Sequence, residues 1–93
     1  MTEQQLEKFK ERVYDPYIEA WSIIKAFRDV DPRTDDDWER YIDACNKFAT
    51  KYPTEIGDSI CRVMIDAGSE IGHIERKGLA YVDERRESEG FVE

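Results

Sequence analysis

The side chains that could carry out catalysis are few in this sequence. It contains a single histidine, His73, and two cysteines, Cys45 and Cys61. Most acid–base and nucleophilic sites place a base that titrates near neutral pH beside a nucleophile, and one histidine permits few such sites. Neither cysteine has a nearby basic cluster that would lower its pKa. We therefore expect that the protein is not an enzyme and has no catalytic residues.

Metal and cofactor motifs are incomplete. Glu70 and His73 form one Glu-x-x-His step, whereas di-iron helical bundles use that step twice, together with two further glutamates. The acidic run at residues 35–37 lacks the spaced oxygen ligands and the glycine of an EF-hand, and no phosphate-binding glycine loop is present. We interpret Glu70 and His73 as a surface pair, and predict no metal site and no cofactor.

Carboxylates are the dominant charged groups. The chain carries 22 acidic and 14 basic residues, a formal net charge of -8. Such a field repels the phosphates of nucleic acids and anionic membranes, and it attracts a basic protein surface. We expect no direct binding to nucleic acid or membrane, and a basic protein surface as the partner. The alternative is that the charge serves solubility alone.

The acidic residues form two clusters on predicted helices. One lies at the start of the second helix, and the other follows the outer side of the third helix over roughly 22 Å. The first cluster could be an anionic knob for a lysine- and arginine-rich groove, or it could simply cap the helix. The second could imitate a row of phosphates, or it could be a solvated surface with Asp58–Arg62 and Arg62–Asp66 pairs. The predicted partner-binding residues are Asp35, Asp36, Asp37, Glu39, Asp43, Glu55, Asp58, Asp66 and Glu70.

A long first helix is predicted over about residues 3–30. Thr2 and Gln5 match a capping box at its start. Pro16 is either a kink in one long helix or the start of a second one, and the unbroken apolar phase favours the kink. The apolar positions, spaced by three and four and therefore expected to face the core, are Leu6, Phe9, Val13, Tyr17, Ala20, Ile24 and Phe27.

Two further helices follow. A capping-box variant at Thr34 and Asp37 predicts a second helix over about 35–52, in which Cys45 faces inward. The third helix is predicted over about 55–86, with Cys61 facing inward; both cysteines are therefore expected to be reduced and buried. A mobile tail should follow at residues 87–93.

The third helix contains glycines in its interior, and each costs about 0.5–1 kcal/mol there. A break near Gly68 is therefore the alternative to one long helix. No segment alternates like a strand and no hairpin turn is present. Residues 1–93 should accordingly form a single all-α domain, an antiparallel three-helix bundle with a long, kinked first helix and a long third helix.

Apolar residues cover most of the circumference of the first helix between Tyr17 and Phe27. Such a helix is either buried by two neighbours within the bundle or uses one side for self-association. The predicted self-association residues are Tyr17, Trp21 and Ile24, which would form a homodimer. No apolar run approaches the roughly 20 residues of a membrane span, and the amino terminus lacks the pattern of a secretory signal. We expect a cytoplasmic protein.

The segment Ala-Trp-Ser-Ile-Ile-Lys at residues 20–25 is followed by Thr-Asp-Asp-Asp-Trp at residues 34–38. With its length and charge, this first half of the chain resembles small acidic helical proteins of phages and other mobile elements, a group that includes anti-CRISPR inhibitors. The resemblance implies a stoichiometric inhibitor that binds a nucleoprotein effector through its acidic surface. The competing hypothesis is a small dimeric adaptor or regulatory subunit that binds through an apolar helix face.

Overall fold

A computed structural model of the protein describes residues 1–31 and 33–77. Every regular element in these two ranges is helical, which confirms the all-α class. They form three helices. The first consists of α1 (Glu3–Phe9), a π-helical segment (Lys10–Tyr14) and α2 (Asp15–Arg28), and it is followed by α3 (Asp35–Lys51) and α4 (Glu55–Lys77). The predicted end of the third helix at residue 86 and the predicted tail lie outside the described residues.

Both predicted capping boxes are formed. The Thr2 hydroxyl accepts a hydrogen bond from the Gln5 N–H at 3.1 Å, and the Thr2 N–H donates to the Gln5 side chain at 2.8 Å. Thr34 and Asp37 make the same reciprocal pair at the start of α3. Each box satisfies N–H groups that the first helical turn leaves without partners. The sequence therefore specifies where these two helices begin.

The first helix remains helical through Pro16, and a π-helical segment directly precedes the proline. There the Asp15 N–H donates to the Lys10 carbonyl, five residues back. Proline has no N–H and its ring crowds the carbonyl four residues earlier, so a wider turn accommodates it without ending the helix. The sequence predicted a kink or a break at this point, whereas the structure has a π-helical segment.

The three helices contact one another in every pairwise combination, and their shared side forms the core. An aromatic group joins α2 to α3: the Phe27 ring stacks on Tyr41, with centroids 4.3 Å apart, and meets Trp38 edge-on at 4.7 Å. The buried hydrophobic residues are Ala20, Ile24, Phe27, Tyr41, Cys45, Phe48, Ile60, Cys61 and Met64.

Helix α4 passes through Gly68 and Gly72 without a break. A Cβ at Gly68 would lie 2.6 Å from a ring carbon of Tyr41, and a Cβ at Gly72 would lie 3.1 Å from Trp38. The two glycines therefore admit aromatic rings of α3 close to the α4 backbone. Packing against these rings offsets the intrinsic cost of glycine in a helix, which is why the helix does not end here.

Arg33 joins the end of α2 to α4. Its guanidinium donates to the carbonyls of Phe27 and Arg28 at 3.0 and 3.1 Å, lies 4.5 Å from the Phe27 ring centroid, and pairs with Glu75. The last carbonyls of a helix lack partners within the helix. Arg33 therefore caps α2 and holds it against α4, a role that no local sequence pattern indicates.

The prediction that the apolar stripe of the first helix is buried along its whole length is wrong. Leu6, Phe9 and Tyr17 are about half exposed, and α1 contacts no other described helix. The reason is the position of the connection between α3 and α4. Lys51, the last residue of α3, forms an ion pair with Glu19 at 2.8 Å, so the first helix extends past the end of α3. Beyond that point its π-helical segment contacts α4, but α1 does not.

Candidate functional site

Both cysteine thiols lie in the interior of the protein. Cys45 is completely buried, and the Cys61 thiol donates to the Cys45 carbonyl at 3.4 Å; no disulfide joins them. Burial raises the pKa of the Cys45 thiol to about 11. Because the thiolate is the nucleophile, such a group is unsuited to nucleophilic chemistry. Within residues 1–31 and 33–77, no group of three or more side chains could hold a metal ion.

Both cysteines should resist thiol reagents in the folded protein at pH 8 and react rapidly in denaturant, as followed by absorbance with a chromogenic disulfide reagent. Rapid reaction of one thiol in the native state would contradict its burial.

The raised pKa of the Cys45 thiol also makes the stability of the fold depend on pH. The stabilisation from burying the neutral thiol is complete below the ordinary thiol pKa of 9.0 and is lost as the pH rises towards about 11.

The acidic cluster on α3 divides into engaged and unengaged carboxylates. Asp37 accepts hydrogen bonds from the backbone N–H and the hydroxyl of Thr34, and these hold the pKa of its carboxyl below the ordinary value. Asp43 pairs with Lys47 at 3.0 Å. Among the described residues no basic side chain pairs with the other three carboxylates of this cluster, Asp35, Asp36 and Glu39, all of which are exposed.

The acidic cluster on α4 is arranged differently. Glu55, Asp58 and Asp66 are exposed, and Glu70 is half-buried. Neither of the pairs predicted for Arg62, with Asp58 or with Asp66, is formed among the described residues. Since α4 packs directly against α3, the two acidic clusters lie on neighbouring rigid helices.

The first helix presents an exposed apolar surface, which we call the aromatic flank and which includes two of the predicted self-association residues, Tyr17 and Trp21. Its members, all between 50% and 59% exposed, are Tyr14, Tyr17, Ile18 and Trp21. Their spacing of three and four residues makes them neighbours on one side of the helix. Ile24, which was predicted to belong to a self-association surface, is instead buried in the core of its own chain. The sequence signal for this flank was the apolar coverage of the whole circumference, but periodicity did not show which side remains open.

An apolar groove runs between the first helix and the start of α4. Val13 and Tyr17 form one wall, and Ile56, Ile60 and Val63 form the other, around a volume of about 460 Å³. We call this the N-terminal groove. Ile60 is buried at its floor, whereas Tyr17 and Val63 are each 59% exposed. The groove therefore opens to solvent next to α1, the part of the first helix that contacts no other described helix.

Charge is distributed unevenly between these surfaces. Residues 1–28 contain five acidic and five basic side chains and are neutral overall, so the whole net charge of -8 resides in residues 29–93. The aromatic flank and one wall of the groove thus belong to a neutral helix, whereas the other wall of the groove and the two acidic clusters belong to α3 and α4. The molecule has two chemically distinct candidate interaction surfaces.

Comparisons with protein-family models, curated proteins and solved structures find no match. The function must therefore be inferred from these two surfaces. None of the described helices has both the length and the apolar composition that a bilayer span requires.

Proposed function

We propose that this chain is a non-enzymatic acidic binding protein that occupies a basic surface on a nucleic-acid-handling complex. As a component of a phage or other mobile element, it would inhibit a CRISPR-type complex in the bacterial cytoplasm. The observation that carries the proposal is the set of exposed carboxylates on α3, Asp35, Asp36 and Glu39, which no basic side chain of the described residues neutralises.

The rigidity of α3 favours this role. The capping box fixes its first turn and the core holds its inner side through Tyr41, Cys45 and Phe48, so the backbone that carries the carboxylates loses little further entropy on binding. Unpaired carboxylates also require no internal ion pair to be broken before a lysine or arginine of the partner approaches. Binding through them should be steered by long-range attraction and weakened by salt.

The test is a charge reversal with a matched control. The variant Asp36→Lys/Glu39→Lys leaves the capping residue Asp37 intact, and the control Glu7→Lys/Glu11→Lys makes the same change of net charge on the neutral first helix. We expect the α3 variant to weaken inhibition of DNA loading onto a purified CRISPR effector ribonucleoprotein by at least about 10-fold, and the control to remain near wild type.

Two results would contradict the acidic-surface proposal. Equal losses in both variants would mean that only net charge matters, and an inhibition constant that does not change between low and high salt would exclude a contact dominated by carboxylates. Circular dichroism of both variants verifies that the helices are retained.

A second candidate function is a small dimeric adaptor or regulatory subunit, which the exposed aromatic flank favours. Tyrosine and tryptophan are enriched in the centres of protein interfaces, and Tyr17 and Trp21 are both more than half exposed. In this case Trp21→Ala should abolish partner binding and the α3 charge reversal should not. In either function we propose that the three helices form an antiparallel bundle in a single domain.

A further inference from the structure

We propose that α1 of one chain docks in the N-terminal groove of a second copy, and that the α1 helix of that copy docks reciprocally in the groove of the first. Leu6 and Phe9 are the anchoring side chains. The inference builds on the dimer of the second candidate function and specifies its contact, and it is compatible with an acidic surface that remains open on α3 and α4.

The first argument is that α1 has an apolar side without a partner. It has no buried residue, and Leu6 and Phe9 are 51% and 49% exposed. A helical segment of seven residues is too short to be stable in isolation. Here it is extended from α2, and it holds its apolar side in solvent beyond the connection between α3 and α4.

The second argument is that the N-terminal groove has the chemistry of this missing partner. Its lining is mostly apolar, with Val13 and Tyr17 on one wall and Ile56 and Val63 on the other; Glu55 and Ser59 complete it, and its volume is about 460 Å³. Apolar side chains of a helix that enter an apolar groove at steps of three or four residues are a recurrent mode of recognition. Leu6 and Phe9, three residues apart, have the required spacing.

Charge selects a second copy as the occupant. The docking segment and the groove wall formed by Val13 and Tyr17 belong to the neutral first helix, so two copies that associate there bring together the part of each chain that adds least to their mutual repulsion. A basic protein would instead be drawn to α3 and α4. Glu55 lies at the edge of the groove, and Lys8, beside Phe9 in the docking segment, is complementary to it.

The exposed area is sufficient for a specific dimer. A half-exposed large side chain presents on the order of 100 Å², and a stable interface buries about 800 Å² on each partner. The exposed side chains of the docking segment and the groove are Leu6, Phe9, Tyr17, Ile56 and Val63. Together they supply on the order of 500 Å², which is about the apolar share of such an interface. In the reciprocal arrangement each copy contributes both its α1 and its groove to the same interface, so the contact has twofold symmetry and leaves neither surface free to extend into a filament.

The first experiment measures self-association of the full chain by sedimentation equilibrium at low and high salt. We expect a dimer whose dissociation constant changes little with salt. Leu6→Ala/Phe9→Ala should weaken it by at least about 100-fold. Ile42→Ala, which removes an apolar side chain of α3 that is 43% exposed, is the matched control and should leave the dimer unchanged.

The second experiment locates the contact by cross-linking. A Phe9→Cys chain is mixed with a size-tagged Val63→Cys chain under mild oxidation, while Cys45 and Cys61 stay buried. We expect a disulfide between the two different chains and none when Ile42→Cys replaces Val63→Cys. A monomeric wild type overturns the inference. A dimer that survives Leu6→Ala/Phe9→Ala and gives no cross-link overturns the docking mode alone. A wild-type chain that dimerises as expected but does not inhibit the effector ribonucleoprotein would count against the acidic-surface proposal instead.

Discussion

Truncation of Phe48 to alanine should lower the free energy of unfolding by about 3–5 kcal/mol. Phe48 is 1% exposed and its ring lies against Tyr52, with centroids 4.9 Å apart. The substitution removes buried apolar area and leaves a cavity that the surrounding helices can fill only in part. A domain of this size has a total stability of only about 5–15 kcal/mol, so the variant should lose a large fraction of the total stability.

The same substitution at Phe9 is the control. Phe9 is half exposed and α1 contacts no other described helix, so Phe9→Ala should change the stability of the monomer by no more than about 0.5 kcal/mol. Both variants are measured by guanidinium unfolding, followed by circular dichroism at protein concentrations below the dimer dissociation constant. A Phe9→Ala loss as large as that of Phe48→Ala would mean that α1 is buried in the monomer.

Gly68→Ala should destabilise the protein by about 1–3 kcal/mol through overpacking against Tyr41. Helix propensity predicts the opposite sign, a gain of up to about 1 kcal/mol, because alanine is the better helix former. The structure decides between them, since the new Cβ would lie 2.6 Å from the Tyr41 ring. That ring is buried and its hydroxyl donates to the Met64 carbonyl, which prevents it from moving aside.

Two neighbours on α4 complete this test. Ser69 is exposed, so Ser69→Ala should give a few tenths of a kcal/mol of stabilisation. The stability change of Gly72→Ala should lie between those of Gly68→Ala and Ser69→Ala, because its Cβ would lie 3.1 Å from Trp38, which is only partly buried. Thermal or denaturant unfolding of the three variants gives the order, and stabilisation by Gly68→Ala would mean that α3 and α4 are farther apart than described.

The two candidate surfaces suggest a division of roles between the helices. Among the described residues the neutral first helix carries most of the exposed large apolar side chains, and α3 and α4 carry the two acidic clusters. A dimer formed through the first helix would leave the acidic clusters of both copies accessible. Two acidic surfaces on one assembly would raise the avidity for a basic partner, provided that both can be engaged at once.

Local signals in the sequence determined the helical class, the starts of two helices and much of the core. The side chains of Thr2 and Thr34 cap the helices that follow them, and these bonds depend on residues only three positions away. The inward positions of Cys45 and Phe48 follow from the same short-range periodicity. Chemistry that acts within one or two turns can be inferred without knowing what lies beside the helix.

Other features were decided by the tertiary structure alone. Leu6 and Ile24 belong to the same apolar stripe, yet Leu6 is exposed and Ile24 is buried, because periodicity gives the direction of a side chain and not the length of the helix packed against it. Gly68 could have ended a helix, but it admits the Tyr41 ring instead. Whether the helix ends at Gly68 or continues and packs against Tyr41 depends on a residue 27 positions away in the chain. Only the folded arrangement brings the Tyr41 ring to the α4 backbone.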